Sequence, residues 1–169
     1  MKISTRLHAR LLDNHTLINP AKALFAYGSP DYYELIQGVR KAAFRSAARL
    51  PRDVSIILTN VLASGGPSDY AFEHWQAIRA LATERKVPLL SVTLDCEPGE
   101  QARRMVAADR KSRMKMTDPS VIQTLRESRR LFDDGADHRL SIDNTRLSAS
   151  GCADQILRWI KEMGGLGDR

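Results

Sequence analysis

No apolar stretch in this chain approaches the roughly 18–20 residues that a membrane-spanning helix requires. Even Val54 to Leu58 is interrupted by Ser55. Arg6, His8 and Arg10 break up the opening residues, so nothing there reads as a secretion signal. Cys96 and Cys152 are too few for a disulfide framework, and neither belongs to a Cys-x-x-Cys pair. Both read as packing residues rather than nucleophiles. His8, His74 and His138 stand alone, without metal-ligand spacing. A Gly-rich phosphate loop of the form G-x-x-x-x-G-K-S/T is also missing. Gly164-Gly165-Leu166-Gly167 follows no strand and does not replace it. These absences argue against a membrane partner, a disulfide scaffold and a metal centre. They make a cytoplasmic location the expectation.

What is present suits one domain over residues 1–169. Apolar residues make up 43% of the chain, enough for a sizeable core, and no repeat or linker divides it. The formal net charge is +6, and most of it is local. Between Arg103 and Lys115, six basic residues accompany a single acid, Asp109, so this stretch alone carries +5. A concentrated excess points to a site rather than to a generally basic surface.

The pattern along the chain alternates helices and strands. Ile3 to Leu11 reads as a short helical piece overlapping a short strand at Arg10 to Leu12. Ser29-Pro30 is a helix start, with Ser as cap and Pro in the first position. Tyr32, Ile36, Val39, Ala43 and Ala47 form its apolar stripe, and Pro51 ends it. Val54 to Thr59 has the composition of a strand buried on both faces. A loop over Ala63 to Pro67 leads to a helix from about Ser68 to Lys86, with Ala71, Trp75, Ile78 and Ala82 inward. Leu89 to Leu94 reads as a strand, Pro98 to Ala108 as a helix, and Asp118 to about Leu131 as another helix. A turn at Asp133-Asp134-Gly135 precedes a strand over Arg139 to Ile142. Ser148 caps a last helix carrying Cys152, Ile156, Ile160 and Met163 inward. Four strands separated by helices predict an α/β fold with a parallel sheet in three layers.

The order of short motifs resembles the P-loop nucleoside and small-molecule kinase superfamily, which includes shikimate kinase-like and small AAA-like bacterial ATPases. The residues that carry the resemblance are Leu12-Asp13-Asn14-His15 with Leu17-Ile18-Asn19-Pro20, then Leu58-Thr59-Asn60, Arg103-Arg104, Arg113-x-Lys115-x-Thr117-Asp118, and Ser141-Ile142-Asp143-Asn144-Thr145. It spans Ile3 to Ile160. It implies a sheet of order 2-3-1-4-5 in which the first strand and the Walker A loop after it have no counterpart here. Met1 then falls just after the phosphate-loop Lys. The expectation is an N-terminally truncated kinase-like body, or a sheet completed by strand rearrangement or by another chain.

The resemblance also implies roles. Asp13 would orient or deprotonate an acceptor hydroxyl, with Asn14, His15, Asn19, Thr59, Asn60 and Arg104 around the small-molecule substrate. Arg110 and Arg113, in a lid over about 109–118, would clamp the transferring phosphoryl group. Arg103, Lys111, Lys115, Asn144 and Thr145 would attend the nucleotide. ATP and Mg2+ are the expected co-substrate and cofactor, though without the phosphate loop this chain is expected to be inactive. Each residue has a plainer reading. Asp13 and Asn14 can cap a turn, Thr59 and Asn60 can satisfy a strand end, and the basic segment can be a solvated face or a nucleic-acid surface. Few aromatics lie near that segment for base stacking. The alternative function is a non-catalytic kinase-like relic that binds a phosphorylated ligand, nucleic acid or a protein partner. Assembly as a homo-oligomer is compatible with either.

Overall fold

Capping side chains set where three of the helices begin in the computed structural model, which describes residues 3–65, 68–107, 118–120, 126–127, 130–132 and 135–164. The elements run α1 (Ile3–Arg6), β1 (Arg10–Asp13), α2 (Asn14–Leu24), α3 (Pro30–Ala48), β2 (Ile56–Thr59), α4 (Tyr70–Arg85), β3 (Leu90–Asp95), α5 (Pro98–Met105), β4 (His138–Asp143) and α6 (Ala149–Glu162). Ser29 accepts from the Tyr32 N–H at 3.2 Å, with Pro30 leading α3. Ser148 accepts from the Gly151 N–H at 3.1 Å and starts α6. Each such cap satisfies one of the donors that a helix start leaves open.

All described strands pair in parallel, but in two sheets rather than one. β1 pairs with β2 from Arg10↔Ile56 to Asp13↔Thr59. β3 pairs with β4 from Leu90↔His138 to Asp95↔Asp143. Among the described residues, each of the four strands therefore has a partner on one side only. The expected double-sided burial of the Val54 to Thr59 strand is not reached. Ile56, Ile57 and Leu58 are half-buried, because one edge of the strand lacks a neighbour.

The largest core cluster lies under α4. Trp75, Ile78 and Leu81 pack with Phe44 and Ala47 of α3 and with Leu62, and Leu12, Ile56, Leu58 and Leu89 close around them. A second cluster joins Ala21 of α2 to Tyr32 and Ile36 of α3. A third sets Ile142, Cys152 and Ile156 against Val92, Leu140 and Ile3. There α1 reaches α6 through an Arg6–Asp154 ion pair of 2.5 Å. Cys152 is buried as a packing residue, and Cys96 is half-buried.

Several sequence expectations are corrected. The opening helix ends at Arg6, where His8 turns to a φ of 51°. Asn14 and His15 do not begin a loop. They start α2, which runs through Pro20. On α3 the buried stripe is Tyr32, Ile36, Arg40, Phe44 and Ala47, so Arg40 takes the inward place expected of Val39. On α4, His74, Leu81 and Arg85 join Trp75 and Ile78 inside. Leu131 does not end a helix. It forms an antiparallel bridge with Ala63. Half of the expected helix over 118–131, and Asp133-Asp134 of the expected turn, lie outside the described residues. Among the described residues, no helix is long and apolar enough to cross a membrane.

Arg85 anchors the end of α4. Its Nη2 donates to the carbonyls of Pro51 and Val54, each at 2.8 Å, holding the segment that enters β2. A hydrogen bond from a charged donor contributes about 1–3 kcal/mol, toward the lower end where, as here, the acceptors are only part-buried. Arg85→Met should therefore lower unfolding free energy by about that amount, measured by urea denaturation.

Candidate functional site

In an open parallel sheet, ligands gather at the carboxyl ends of the strands. Here there are two such ends. At the first, Asp13 and Thr59 are register partners. Asp13 is the N-cap of α2, accepting from the Thr16 N–H at 3.0 Å. The capping reading of Asp13 is thus realised, and it fixes the carboxylate at the strand end beside Thr59. Asn14 and His15 follow in the first turn of α2, and Asn19 lies one turn beyond His15. The Nδ1 of His15 and the Oδ1 of Asn19 are buried without a hydrogen-bond partner. Thr59 is exposed and Asn60 half-buried.

At the second end, Asp95 and Asp143 are register partners. Arg126 grips Asp95 through both carboxylate oxygens, at 2.9 and 3.1 Å, and also donates to the Cys96 carbonyl and to Gln101. Arg104 donates to the Asn144 Oδ1 at 2.6 Å and to the Asn144 carbonyl at 2.9 Å. Thr145 receives the Glu97 N–H on its hydroxyl at 2.9 Å and donates that hydroxyl to Asp143. A surface cavity of about 490 Å3 opens beside these groups, lined in part by Glu97, Asp143, Thr145, Arg146 and Gln155. Hydrogen bonds from the Thr145 hydroxyl and backbone N–H hold the Asp143 carboxyl below the usual range.

The structure thus brings the sequence-derived candidates together in two sets. Asp13, Asn14, His15, Asn19, Thr59 and Asn60 gather around the end of β1 and β2. Arg104, Asn144 and Thr145 gather around the end of β3 and β4, away from the substrate group to which the resemblance assigned Arg104. Arg103 does not join them. It is largely exposed and pairs with Glu100. Arg110, Lys111, Arg113 and Lys115 lie outside the described residues. Asp95 and Arg126 were not singled out from sequence. The signal for Asp95 was its place just after an apolar strand, but nothing local marks Arg126 as its partner. Among the described residues, no three metal-ligating side chains cluster.

Glu100 is the most strongly shifted carboxyl here. Hydrogen bonds from Arg103 and then Arg104 bring it down from 4.5 to about 2. A carboxyl held low in the folded state adds stability above its unfolded value, and that stability disappears as pH falls through the folded value. Glu100→Gln should therefore flatten the acid limb of the stability profile between about pH 4.5 and 2, read from unfolding curves at stepped pH.

No protein-family model matches this chain, and no curated protein matches it. Among solved structures, the crystal structure of a "putative kinase" from Chloroflexus aurantiacus is similar, with a TM-score of 0.62 over 98% of this chain and 87% of that one. Sequence identity is 12%, so the two share a fold.

Proposed function

We propose that this chain forms the body of an ATP-dependent phosphotransferase acting on a small molecule, with a P-loop kinase-like sheet. The observation that carries the reading is the strand pairing. β1 and β2 form one parallel pair, β3 and β4 form another, and among the described residues no strand joins β2 to β3. A parallel strand seated between them would give the order 2-3-1-4-5, the arrangement of the family that the sequence resembles. Its carboxyl end would open between the two sets of site residues, where a Gly-rich loop can receive phosphates. The similarity to a "putative kinase" supports the same direction.

In this reading the acceptor sits at Asp13, Thr59 and Asn60, and the nucleotide lies toward Asn144, Thr145 and the adjoining cavity. The acceptor hydroxyl attacks the γ-phosphorus, the bond to the β–γ bridging oxygen breaks, and Asp13 takes the hydroxyl proton. Mg2+ would neutralise phosphate charge, a task needing only one or two protein carboxylates. Arg110 and Arg113 would stabilise charge on the transferring group.

Fusing a strand and Gly-rich phosphate loop ahead of Ile3 tests the reading. The fused protein should bind Mg·ATP in calorimetry and melt higher than the 169-residue chain, which should show no enzyme-like ATP turnover. A fused protein that melts no higher and binds no nucleotide would refute the reading. In the fused enzyme, Asp13→Asn should lower kcat by about 100-fold while changing nucleotide affinity little.

A further inference from the structure

Among the described residues, β4 (His138–Asp143) pairs with β3 alone. Its other edge stays outermost even when a strand sits between β2 and β3, so its exposure is independent of the phosphotransferase reading. The backbone bonding shows which groups lie along that edge. The Asn144 N–H donates to the Asp95 carbonyl at 2.8 Å, and Asp95 and Asp143 are register partners. In a strand, the N–H and C=O of one residue point to the same side, and those of the next residue point to the other. Leu140, Ile142 and Asn144 therefore turn their backbone groups toward β3, while Arg139, Ser141 and Asp143 turn theirs to the open edge. The same three residues have exposed side chains on one face of the strand. Leu140 and Ile142 lie on the other, against Cys152 and Ile156 of α6.

The charges along this edge are self-complementary. Charged side chains ordinarily discourage pairing of an edge strand. Here they have opposite signs and stand symmetrically about Ser141. Two copies can pair antiparallel about a twofold axis normal to the sheet. Facing residues must then lie on one face, so the axis passes through a residue position. With the axis at Ser141, Arg139 of each copy faces Asp143 of the other, and Leu140 faces Ile142. Arg139, Ser141 and Asp143 fall at the hydrogen-bonded positions, where each exchanges both backbone bonds with its counterpart. Asp143 takes the Thr145 N–H and hydroxyl on Oδ1, so its Oδ2 can accept from Arg139 of the second copy. Parallel pairing in register would instead set Arg139 against Arg139 and Asp143 against Asp143, which is unfavourable. The edge of β1 offers no such match. The same symmetry sets Arg10 against Leu12, or Leu11 against Asp13, within its four residues.

We infer that the outer edge of β4 is a homodimer interface, at which two copies of this chain join their sheets antiparallel about Ser141. The axis keeps α6 and its copy on the same face and beside each other, so helix contacts add to the backbone ladder.

Sedimentation equilibrium of the 169-residue chain across micromolar concentrations should show a mass rising to twice that of one chain. Arg139→Asp sets an Asp against Asp143 of the second copy at both symmetric places, and should raise the dimer dissociation constant at least about tenfold. The register is read by cross-linking in a Cys96→Ser background with a short bismaleimide. Ser141→Cys should link to its copy, because facing hydrogen-bonded residues have Cα atoms about 5.5 Å apart. His138→Cys should not, because in this register it stands about 20 Å from its copy. Ser141→Cys is a small change at an exposed position and carries the test if Arg139→Asp does not fold. A chain that stays monomeric, a dissociation constant that Arg139→Asp leaves unchanged, a Ser141→Cys protein that does not link, or equal linking through His138→Cys each overturns the inference.

Discussion

Burial of one face of α4 holds the two strand pairs together. Trp75, Ile78 and Leu81 cover Ile56 and Leu58 of β2, and Leu89 at the entry to β3 packs in the same cluster. The helix is fixed at its end by Arg85, whose guanidinium donates to the carbonyls before β2. The strands can share this support without hydrogen-bonding to each other. That is how two parallel pairs persist as parts of one arrangement, with the first site at one pair and the second site at the other.

The arginines near these strand ends divide by how their charge is met. Arg104 is held by Glu100, Asn144 and the Asn144 carbonyl, and Arg126 by Asp95 and neighbouring oxygens. Both are positioned by partners already present in the chain. Arg40 is more deeply buried than either, lies over the Tyr70 ring near His74, and has no ion-pair partner among the described residues. Among the described residues, the arginines at the end of β3 and β4 are thus paired with acids or amides, whereas Arg40 of α3 has no acidic partner.

The parts legible in sequence were those set by local chemistry. Ser29-Pro30 and Ser148 announced helix starts, and apolar β-branched runs announced strands that pair in parallel. Helix α2 was not legible because Asp13-Asn14-His15 has turn chemistry and Pro20 interrupts the helical pattern. The side chain that caps a turn is the same one that caps a helix. Arg40 was missed because an apolar stripe is traced through apolar residues, and a charge on that stripe is passed over. The Asp95–Arg126 pair was hidden by a separation of 31 residues. The candidates Asp13, Thr59, Asn144 and Thr145 were named through the motifs that carry the resemblance, and each lies at or just past the carboxyl end of a parallel strand. The lid cations Arg110, Lys111, Arg113 and Lys115 lie outside the described residues, so the geometry here neither joins them to the site nor separates them from it.

The open edges of β2 and β3 carry a consequence for folding in a crowded solution. Each edge presents a row of backbone donors and acceptors beside half-buried Ile, Leu and Val side chains. Native proteins discourage edge-to-edge pairing with charged or proline residues within an exposed strand. Here Arg52, Asp53 and Lys86 stand before the strands, Ile56–Thr59 contains no charge or proline, and Leu90–Asp95 carries a single charge, Asp95, at its end. Molecules that meet before these edges are covered can zip together strand to strand, so production of the chain is a race between self-association and edge coverage, with concentration setting the winner.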